Sequence, residues 1–297
     1  MEHPLMDDST DSYLDALIAR CNFPEPTSEV VCAVSGGPDS MALLLLAHAH
    51  GLSVTAVHVD HGLRPDSSTD IDVIMPVANE LGIPVVAHQV TVASGSNLEA
   101  RARHARYSVL PVGAMTGHTA DDQAETVLIN LLRGAGAQGL SAMRPGLQRP
   151  LLALRRAETL AVCAHFGVAT VTDSTNSDPA FLRNRVRHEL LELIADISLR
   201  DPVPLLTRTA TVLRDDNDLL DELASSIDPT DAQGLARAPL PLASRAIRQW
   251  LSDPYPPDLA TIERILAVAR GEVLACEIGQ NRQIRRSKQR LFLHFMG

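Results

Sequence analysis

Short apolar runs separated by helix-forming segments dominate the first two thirds of the chain. Val30–Val34 and Val54–Val59 are rich in valine, which predicts strands buried on both faces. Val85–Val92 predicts a third strand, and Ala114–Gly117 and Val168–Val171 predict a fourth and a fifth. Because these strands alternate with helical segments, the pattern predicts an α/β fold with a doubly wound, Rossmann-like parallel sheet.

The pattern changes character near Val203. An amphipathic segment over residues 203–225 predicts a long helix, and shorter helices are expected at Leu242–Leu251 and Leu259–Arg270. A terminal hairpin is expected, with Val273–Gln289 and Leu291–Phe295 as its two strands. This part therefore predicts a smaller, mainly helical domain. We expect an N-terminal extension, an α/β catalytic domain and a helical substrate-binding domain, over residues 1–29, 30–200 and 201–297.

A glycine-rich turn, Ser35-Gly36-Gly37-Pro38-Asp39-Ser40, joins the first strand to an apolar helix. Strand, glycine-rich turn and helix together gather backbone N–H groups that bind phosphate. Asp39 would repel a phosphate unless a cation lies between them, so it predicts Mg²⁺ or a cationic substrate. The alternative is a plain strand-to-helix turn with a serine cap. The loop is not of the Walker A type, because the only lysine of the chain is Lys288.

Polar clusters also follow the other predicted strands, over His58–Arg64, His118–Asp122 and Asp173–Asn176. Because the carboxyl ends of parallel strands share one sheet edge, we expect these clusters to converge with the glycine-rich loop. Asp122 and Glu125 stand three residues apart at a helix start, so their carboxylates share a face suited to Mg²⁺ or an ammonium group. The alternative is acidic capping of the helix N-terminus.

Two arginine-rich segments suit recognition of an anion. Glu99, Arg103 and Arg106 share one face of a predicted helix, and three arginines stand within Arg183–Arg187. A solvated helix face is the alternative for both segments.

Charge and cysteine content narrow the functional classes. The formal net charge of −10 and the pI of 5.5 argue against a general nucleic-acid binder. Residues 282–290 nevertheless hold five basic side chains and no acidic one, so a local basic patch is expected. The four cysteines include no Cys-x-x-Cys pair, which argues against a zinc, iron–sulfur or disulfide framework. The sequence shows no membrane span and no signal peptide, so we expect a cytoplasmic protein with no membrane partner.

Together these motifs resemble the tRNA(Ile)-lysidine synthase family of the N-type ATP pyrophosphatases, which are PP-loop enzymes. The segments that carry the resemblance are Ser35–Ser40, HVDHGLR at 58–64, Glu99–Tyr107, TGHTADDQAET at 116–126, Arg133-Gly134, Arg149-Pro150-Leu151, DSTN at 173–176 and RNRVR at 183–187. They cover residues 30–190, and residues 240–297 resemble the substrate-binding extension of the family more loosely. The resemblance also implies that this sequence lacks the extra C-terminal domain of the longer members.

The resemblance implies ATP-dependent attachment of free L-lysine to C2 of the wobble cytidine in the CAU anticodon of isoleucine tRNA. The reaction proceeds through an adenylated cytidine and releases AMP and pyrophosphate. ATP and Mg²⁺ are the implied cofactors, and a homodimer is one assembly that the sequence allows. By the resemblance, catalytic roles fall on Asp39, Asp122, Glu125, Arg103 and Arg183. Nucleotide contacts fall on Ser35, Gly36, Gly37, Pro38, Asp39, Ser40, His58 and His61, and Mg²⁺ falls on Asp39 and Asp122.

Other functions stay open on the sequence. A PP-loop tRNA sulfurtransferase usually needs paired active-site cysteines, whereas Cys32 lies in a predicted strand and no candidate loop contains a cysteine. A non-catalytic nucleotide-binding regulator would not need Asp39, Asp122 and Glu125 together, because carboxylates weaken simple phosphate binding. For RNA contact we expect the basic segment over residues 280–290 to touch tRNA phosphates.

Overall fold

The computed structural model describes residues 8–60, 62, 70–90, 98–171, 178–253 and 255–296. The chain divides into two compact units, Met1–Ala210 and Thr211–Gly297. The elements of the first unit are α1 (Asp8–Ile18), β1 (Glu29–Ala33), α2 (Pro38–Ala49), β2 (Ser53–Asp60), α3 (Asp70–Glu80), β3 (Val85–Gln89), α4 (Leu98–Val109), α5 (Ala120–Leu132), α6 (Ala137–Leu140), α7 (Arg156–His165), α8 (Leu182–Arg185), a π-helix (Val186–Leu190) and α9 (Leu191–Ser198). Helix α10 (Pro202–Ser225) contains the boundary between the units.

The three strands of the first unit form a parallel sheet in the order β1-β2-β3. Cys32 lies opposite Ala56, and Val57 lies opposite Val86. Each strand is connected to the next through a helix, as parallel pairing requires. The predicted α/β class with a parallel sheet flanked by helices is confirmed.

The predicted fourth strand is reduced to an isolated parallel bridge between Cys32 and Met115. The amide of Ala33 donates to the carbonyl of Met115 at 2.9 Å, and the amide of Met115 donates to the carbonyl of Val31 at 2.8 Å. Glycines at 113 and 117 flank the bridge, and they shorten the ladder because they add no side chain to pack on the sheet. Since β2 pairs with the other edge of β1, the strand order reverses at β1. The loops after β1 and Met115 therefore border the crevice where open α/β sheets bind ligands.

The predicted fifth strand, Val168–Val171, is not a strand in the structure. The amide of Val171 donates to the carbonyl of Gly36 at 2.8 Å. Gly36 has a φ of +78°, so the chain has already turned away from the strand direction there. A ladder beside this turn cannot extend further.

Helix α2 occupies the centre of the core of the first unit. Its residues from Ser40 to Ala47 are all buried, because its sequence is apolar on every side. The neighbouring helix α7 packs against it. This packing fixes the N-terminus of α2, and with it the glycine-rich loop.

The second unit packs helices on a small antiparallel sheet. Its further elements are α11 (Ala232–Arg237), α12 (Leu240–Trp250), α13 (Leu259–Arg270), β4 (Ala275–Gly279), β5 (Arg282–Ser287) and β6 (Arg290–Phe295). The predicted hairpin is thus a three-stranded meander in the order β4-β5-β6. Gln280 and Asn281 have positive φ values of 54° and form a turn that splits the predicted first strand in two. Ile262, Ile265 and Ile284 form the fully buried centre of this unit.

No helix in the described part of the chain combines the length and the apolar character that a membrane crossing requires.

Candidate active site

The glycine-rich loop lies at the N-terminus of α2, with Pro38 as the first helical residue. The amide of Ser35 donates to the hydroxyl of Ser40 at 3.0 Å, and that hydroxyl donates to the carbonyl of Gly37 at 2.9 Å. A Cβ atom on Gly36 would lie 2.9 Å from the side chain of Val171. The serines therefore brace a tight loop, and its backbone amides stand at the positive end of a helix.

The segment after Met115 lies directly against the first turn of α2. A Cβ atom on Gly117 would stand 2.5 Å from the carbonyl oxygen of Asp39 and 3.0 Å from the amide nitrogen of Ser40. Only glycine permits this approach, because a side chain would collide with the backbone. The close approach brings the start of α5 beside Asp39.

Three carboxylates meet one guanidinium at this place. Arg156, the first residue of α7, points its Nε at Oδ2 of Asp39 (3.2 Å), its Nη2 at Oδ1 of Asp122 (3.0 Å) and its Nη1 at Oε1 of Glu125 (3.2 Å). The side chain of Glu125 is 0% exposed, and that of Asp122 is 11% exposed. Asp39 comes from α2, whereas Asp122 and Glu125 come from α5, so Arg156 joins the two helices.

Two further arginines, one in α8 and one in the π-helix, contact the same carboxylates. Arg183 contacts Glu125 through its Nε (2.6 Å) and Asp122 through its Nη2 (3.2 Å). Arg187, within the π-helix, donates its Nε to Oε1 of Glu125 at 2.6 Å. We call these six side chains the carboxylate–arginine cluster: Asp39, Asp122, Glu125, Arg156, Arg183 and Arg187.

The surroundings shift the pKa values of Asp39 and Asp122 in opposite directions. Burial raises the pKa of Asp39 above its ordinary value, and Arg156 and a hydrogen bond from Thr159 only partly offset that effect. Burial also opposes ionisation of Asp122, but the charges of Arg156 and Arg183 outweigh it and lower the pKa. Burial likewise opposes the charged form of Arg156, yet its three carboxylate partners raise its pKa. Arg156 therefore stays charged and faces two aspartates of unequal proton affinity.

Asp122 combines capping with its place in the cluster. Its Oδ2 accepts the amide of Thr119 at 2.8 Å and the hydroxyl of Thr119 at 3.0 Å, which forms a capping box at the start of α5. Its Oδ1 faces Arg156 and Arg183. The two interpretations of the sequence are thus compatible, because each oxygen of the carboxylate has its own partners.

Comparison with known proteins places this geometry in a family. The profile of the PP-loop domain matches residues 7–194. The tRNA(Ile)-lysidine synthase of Rhodococcus erythropolis is 42% identical over 76% of this chain and 75% of its own length. The chain belongs to the tRNA(Ile)-lysidine synthase family. The family member from Nocardia farcinica is 38% identical over 84% of this chain and 86% of its own length.

A solved structure of low sequence identity shares the fold. The U34-tRNA thiolase NcsA from Methanococcus maripaludis superposes with a TM-score of 0.54 over 69% of this chain and 78% of its own length, at 15% identity. The predicted family is therefore confirmed by the relatives, and the architecture is shared more widely than the activity.

The structure brings together most of the residues that the lysidine synthase resemblance singles out. Asp39, Asp122, Glu125 and Arg183 lie in the carboxylate–arginine cluster, beside the Ser35–Ser40 loop. His61 and the side chain of Arg103 lie outside the described residues.

His58 lies at the end of β2 and is only 3% exposed. Its Nδ1 donates to the carbonyl of Val34 at 2.9 Å, so its Nε2 is an acceptor, and that atom has no partner among the described residues.

Sequence reasoning missed Arg156 and Thr159. The hydroxyl of Thr159 donates to Asp39 and also contacts the carbonyl of Arg156 at 2.8 Å. A signal for Arg156 exists: it opens a helix, where the macrodipole disfavours a cation unless acidic groups lie close by.

The two carboxylates predicted to hold Mg²⁺ lie against the same guanidinium. Asp39 and Asp122 both face Arg156, and Mg²⁺ commonly takes one or two carboxylates together with phosphate oxygens. Within the described residues, no group of three or more His, Cys, Asp or Glu side chains is arranged to hold a metal by itself. The donor set therefore fits a cation that shares its ligands with a bound phosphate.

Proposed function

We propose that this chain uses ATP to attach L-lysine to C2 of the wobble cytidine in an isoleucine tRNA with a CAU anticodon. The observation that carries the proposal is the convergence of Asp39, Asp122 and Glu125 beside the Ser35–Ser40 loop. A loop that binds phosphate and a buried acidic face suited to an ammonium group are the two subsites that the reaction needs. The family membership supports the same assignment.

In the first step, cytosine O2 attacks the α-phosphorus of ATP, and the bond from that phosphorus to the bridging oxygen breaks. Pyrophosphate leaves and the cytidine carries an adenylate. The amides of Gly36 and Gly37 and the hydroxyls of Ser35 and Ser40 would bind the phosphates that leave. Asp39 and Asp122 would hold Mg²⁺, which supplies positive charge to the phosphates when it is bound.

In the second step, the ε-amine of lysine attacks C2, and the bond between C2 and O2 breaks. AMP departs with that oxygen, and the nitrogen loses its proton to water or a nearby base. Asp122 and Glu125 would orient lysine through an ammonium group, because both are carboxylates and their side chains are only 11% and 0% exposed. Arg183 and Arg187 would balance the charge of these carboxylates and of the departing phosphate.

The cysteines favour lysine transfer over sulfur transfer. Burial raises the pKa of Cys32 to about 12 and that of Cys163 to about 11. Sulfur chemistry uses the thiolate, which is scarce at such pKa values. All four cysteines of the chain are free, and Cys32 lies in β1 at 0% exposure.

For tRNA contact, we propose the exposed basic side chains of the β5–β6 hairpin. Arg286 donates to the carbonyl of Ala269 at 3.0 Å, and Arg290 pairs with Asp228 at 2.5 Å, so both already have protein partners. Arg285 and Lys288 are exposed. These two side chains are therefore the ones that we expect to meet phosphates.

The proposal is tested by transfer of radiolabelled lysine. The protein with ATP and Mg²⁺ should label isoleucine tRNA bearing a CAU anticodon, and it should leave initiator methionine tRNA unlabelled. Asp39→Asn should abolish transfer. Asp72→Asn is the matched control, because Asp72 also lies in the first turn of a helix but is exposed. Cleavage of ATP to AMP and pyrophosphate without labelled tRNA would contradict the assigned acceptor or nucleophile.

A further inference from the structure

The cluster is already balanced by its own side chains. Its three carboxylates face three guanidinium groups, all of them in the first unit. Glu125, with no exposed side-chain surface, accepts hydrogen bonds from Arg156, Arg183 and Arg187. A lysine ammonium entering this arrangement would add a fourth cation to three anions in a largely buried place. Such an excess charge is costly away from water.

Arg156 differs from Arg183 and Arg187 because it contacts carboxylates on two different helices. Its guanidinium contacts Asp39, in the glycine-rich loop, and also contacts Asp122 and Glu125 on α5. Its side chain is 22% exposed, about as much as those of Arg183 and Arg187, so what sets it apart is its contact with Asp39. A guanidinium also pairs with phosphate through two parallel hydrogen bonds, so a triphosphate in the loop would compete for it.

The backbone of Arg156 is held independently of its guanidinium. Its amide donates to Oδ2 of Asp121 at 2.8 Å. The neighbouring Arg155 donates its Nε to the same oxygen at 3.1 Å, and it also pairs with Asp201. The start of α7 is thus fixed, whereas the side chain of Arg156 can exchange partners without moving the helix.

From this geometry we propose that Arg156 couples the two substrate sites. Its guanidinium occupies the carboxylates of Asp122 and Glu125 until the phosphates of ATP draw it away, so that lysine binds after ATP. This inference rests on the proposed function, because it takes these carboxylates as the lysine subsite. Arg156 acts through them and is a positioning residue.

The test measures lysine binding to the full chain by calorimetry, without tRNA. One titration contains Mg²⁺ and an ATP analogue with a methylene group between the α- and β-phosphorus atoms, and the other contains Mg²⁺ alone. We expect lysine to bind at least about tenfold more tightly with the analogue, within the usual range of coupling between sites. By reciprocity, lysine should tighten binding of the analogue by the same factor.

Variants separate coupling from folding. In Arg156→Gln, the affinities for lysine with and without the analogue should agree within about twofold, because no guanidinium is left to exchange. Arg155→Gln is the matched control and should keep the coupling, since its guanidinium pairs with Asp121 and Asp201. Arg156→Lys keeps the charge but lacks the planar fork, and it should show intermediate coupling even if the glutamine variant does not fold.

Equal lysine affinity in both titrations of the wild-type protein would overturn the coupling, and so would full coupling in Arg156→Gln. If lysine transfer to tRNA is intact in either case, only this inference fails. If the wild-type protein binds no lysine in either titration and transfers none to tRNA, the proposed function fails with it.

Discussion

A substitution at Glu125 measures how much the carboxylate–arginine cluster contributes to the free energy of unfolding of the first unit. Glu125→Gln keeps the shape of the side chain but removes its charge and presents an NH₂ group to arginine donors. The carboxylate accepts bonds of 2.6 Å from Arg183, 2.6 Å from Arg187 and 3.2 Å from Arg156, and its side chain is 0% exposed. Removing one partner of a buried ion pair costs about 3–5 kcal/mol. Here the loss falls mainly on Arg187, whose 2.6 Å partner is Glu125, because Arg156 and Arg183 keep Asp122.

Urea unfolding followed by circular dichroism gives the assay. With an m-value on the order of 3 kcal/mol/M, that loss displaces the midpoint by about 1–1.7 M. The only tryptophan, Trp250, lies in the second unit, so its fluorescence reports that unit separately. We expect the circular dichroism transition to move while the transition of Trp250 moves much less.

Glu189→Gln is the matched control for this measurement. Glu189 also pairs with an arginine, Arg185, at 2.9 Å, but both side chains are more than half exposed. Water screens such a pair, so its loss should leave the midpoint unchanged within error. If Glu125→Gln unfolds like Glu189→Gln, the reasoning from burial is refuted and the arginines are not held by Glu125.

Three further predictions concern the loop, the acid response and the tRNA surface. Gly117→Ala should lower kcat/KM for ATP on the order of 100-fold, because its Cβ would meet the backbone of Asp39 at 2.5 Å and shift the loop. Asp122 has a lowered pKa, so its contribution to stability is present above its ordinary pKa of 3.8 and is lost as the pH falls through the lower, folded value. In thermal melts from about pH 6 to about pH 3, Asp122→Asn should therefore lose less stability than the wild type. Arg285→Gln should weaken tRNA binding and reduce the slope of log K against log salt by about 0.9.

Each of these predictions has its own contradicting outcome. Gly136→Ala is the control for the loop, because no atom lies within 4 Å of the added Cβ. If both variants lose kcat/KM equally, the close approach of Gly117 to Asp39 is not the cause of the loss. If Asp122→Asn and the wild type lose equal stability as the pH falls, Asp122 does not contribute to stability as stated. Arg286→Gln controls the salt measurement, since that guanidinium already binds a backbone carbonyl. If the salt slope becomes smaller in Arg286→Gln but stays unchanged in Arg285→Gln, then Arg286, and not Arg285, contacts the tRNA phosphates.

Local chemistry explains what could be predicted correctly. The apolar run Val30–Val34 and the glycine-rich loop after it specify a strand, a turn and a helix through neighbouring residues alone. Leu259–Arg270 is a helix with the predicted bounds, because Asp258 caps its start and Gly271 ends it in the left-handed conformation. Asp122 and Glu125 share a helix face since three residues make almost one turn.

Strand pairing and long-range contacts explain what could not be predicted. The segments at 114–117 and 168–171 have strand-like composition, but each is limited to one or two hydrogen bonds by the glycines that it meets. The turn between β4 and β5 contains Gly279, Gln280 and Asn281, all at positive φ. Gly279 and Asn281 are turn-forming residue types, and the prediction of a single strand over residues 273–289 overlooked them. Pairing depends on the partner strand, which a local pattern does not contain.

The α/β class could be predicted from the alternation of apolar strands and helices, and the family from short motifs spread over residues 30–190. The glycine-rich loop and the shared face of Asp122 and Glu125 could be predicted because each depends on a few consecutive positions. The partners of Asp122 and Glu125 depend instead on how the helices pack. Arg156 is 117 positions away from Asp39 along the chain, and it reaches Asp39 because α7 packs on α2. The balance of three carboxylates against three arginines thus arises from helix packing, and no spacing of residues along the chain could have revealed it.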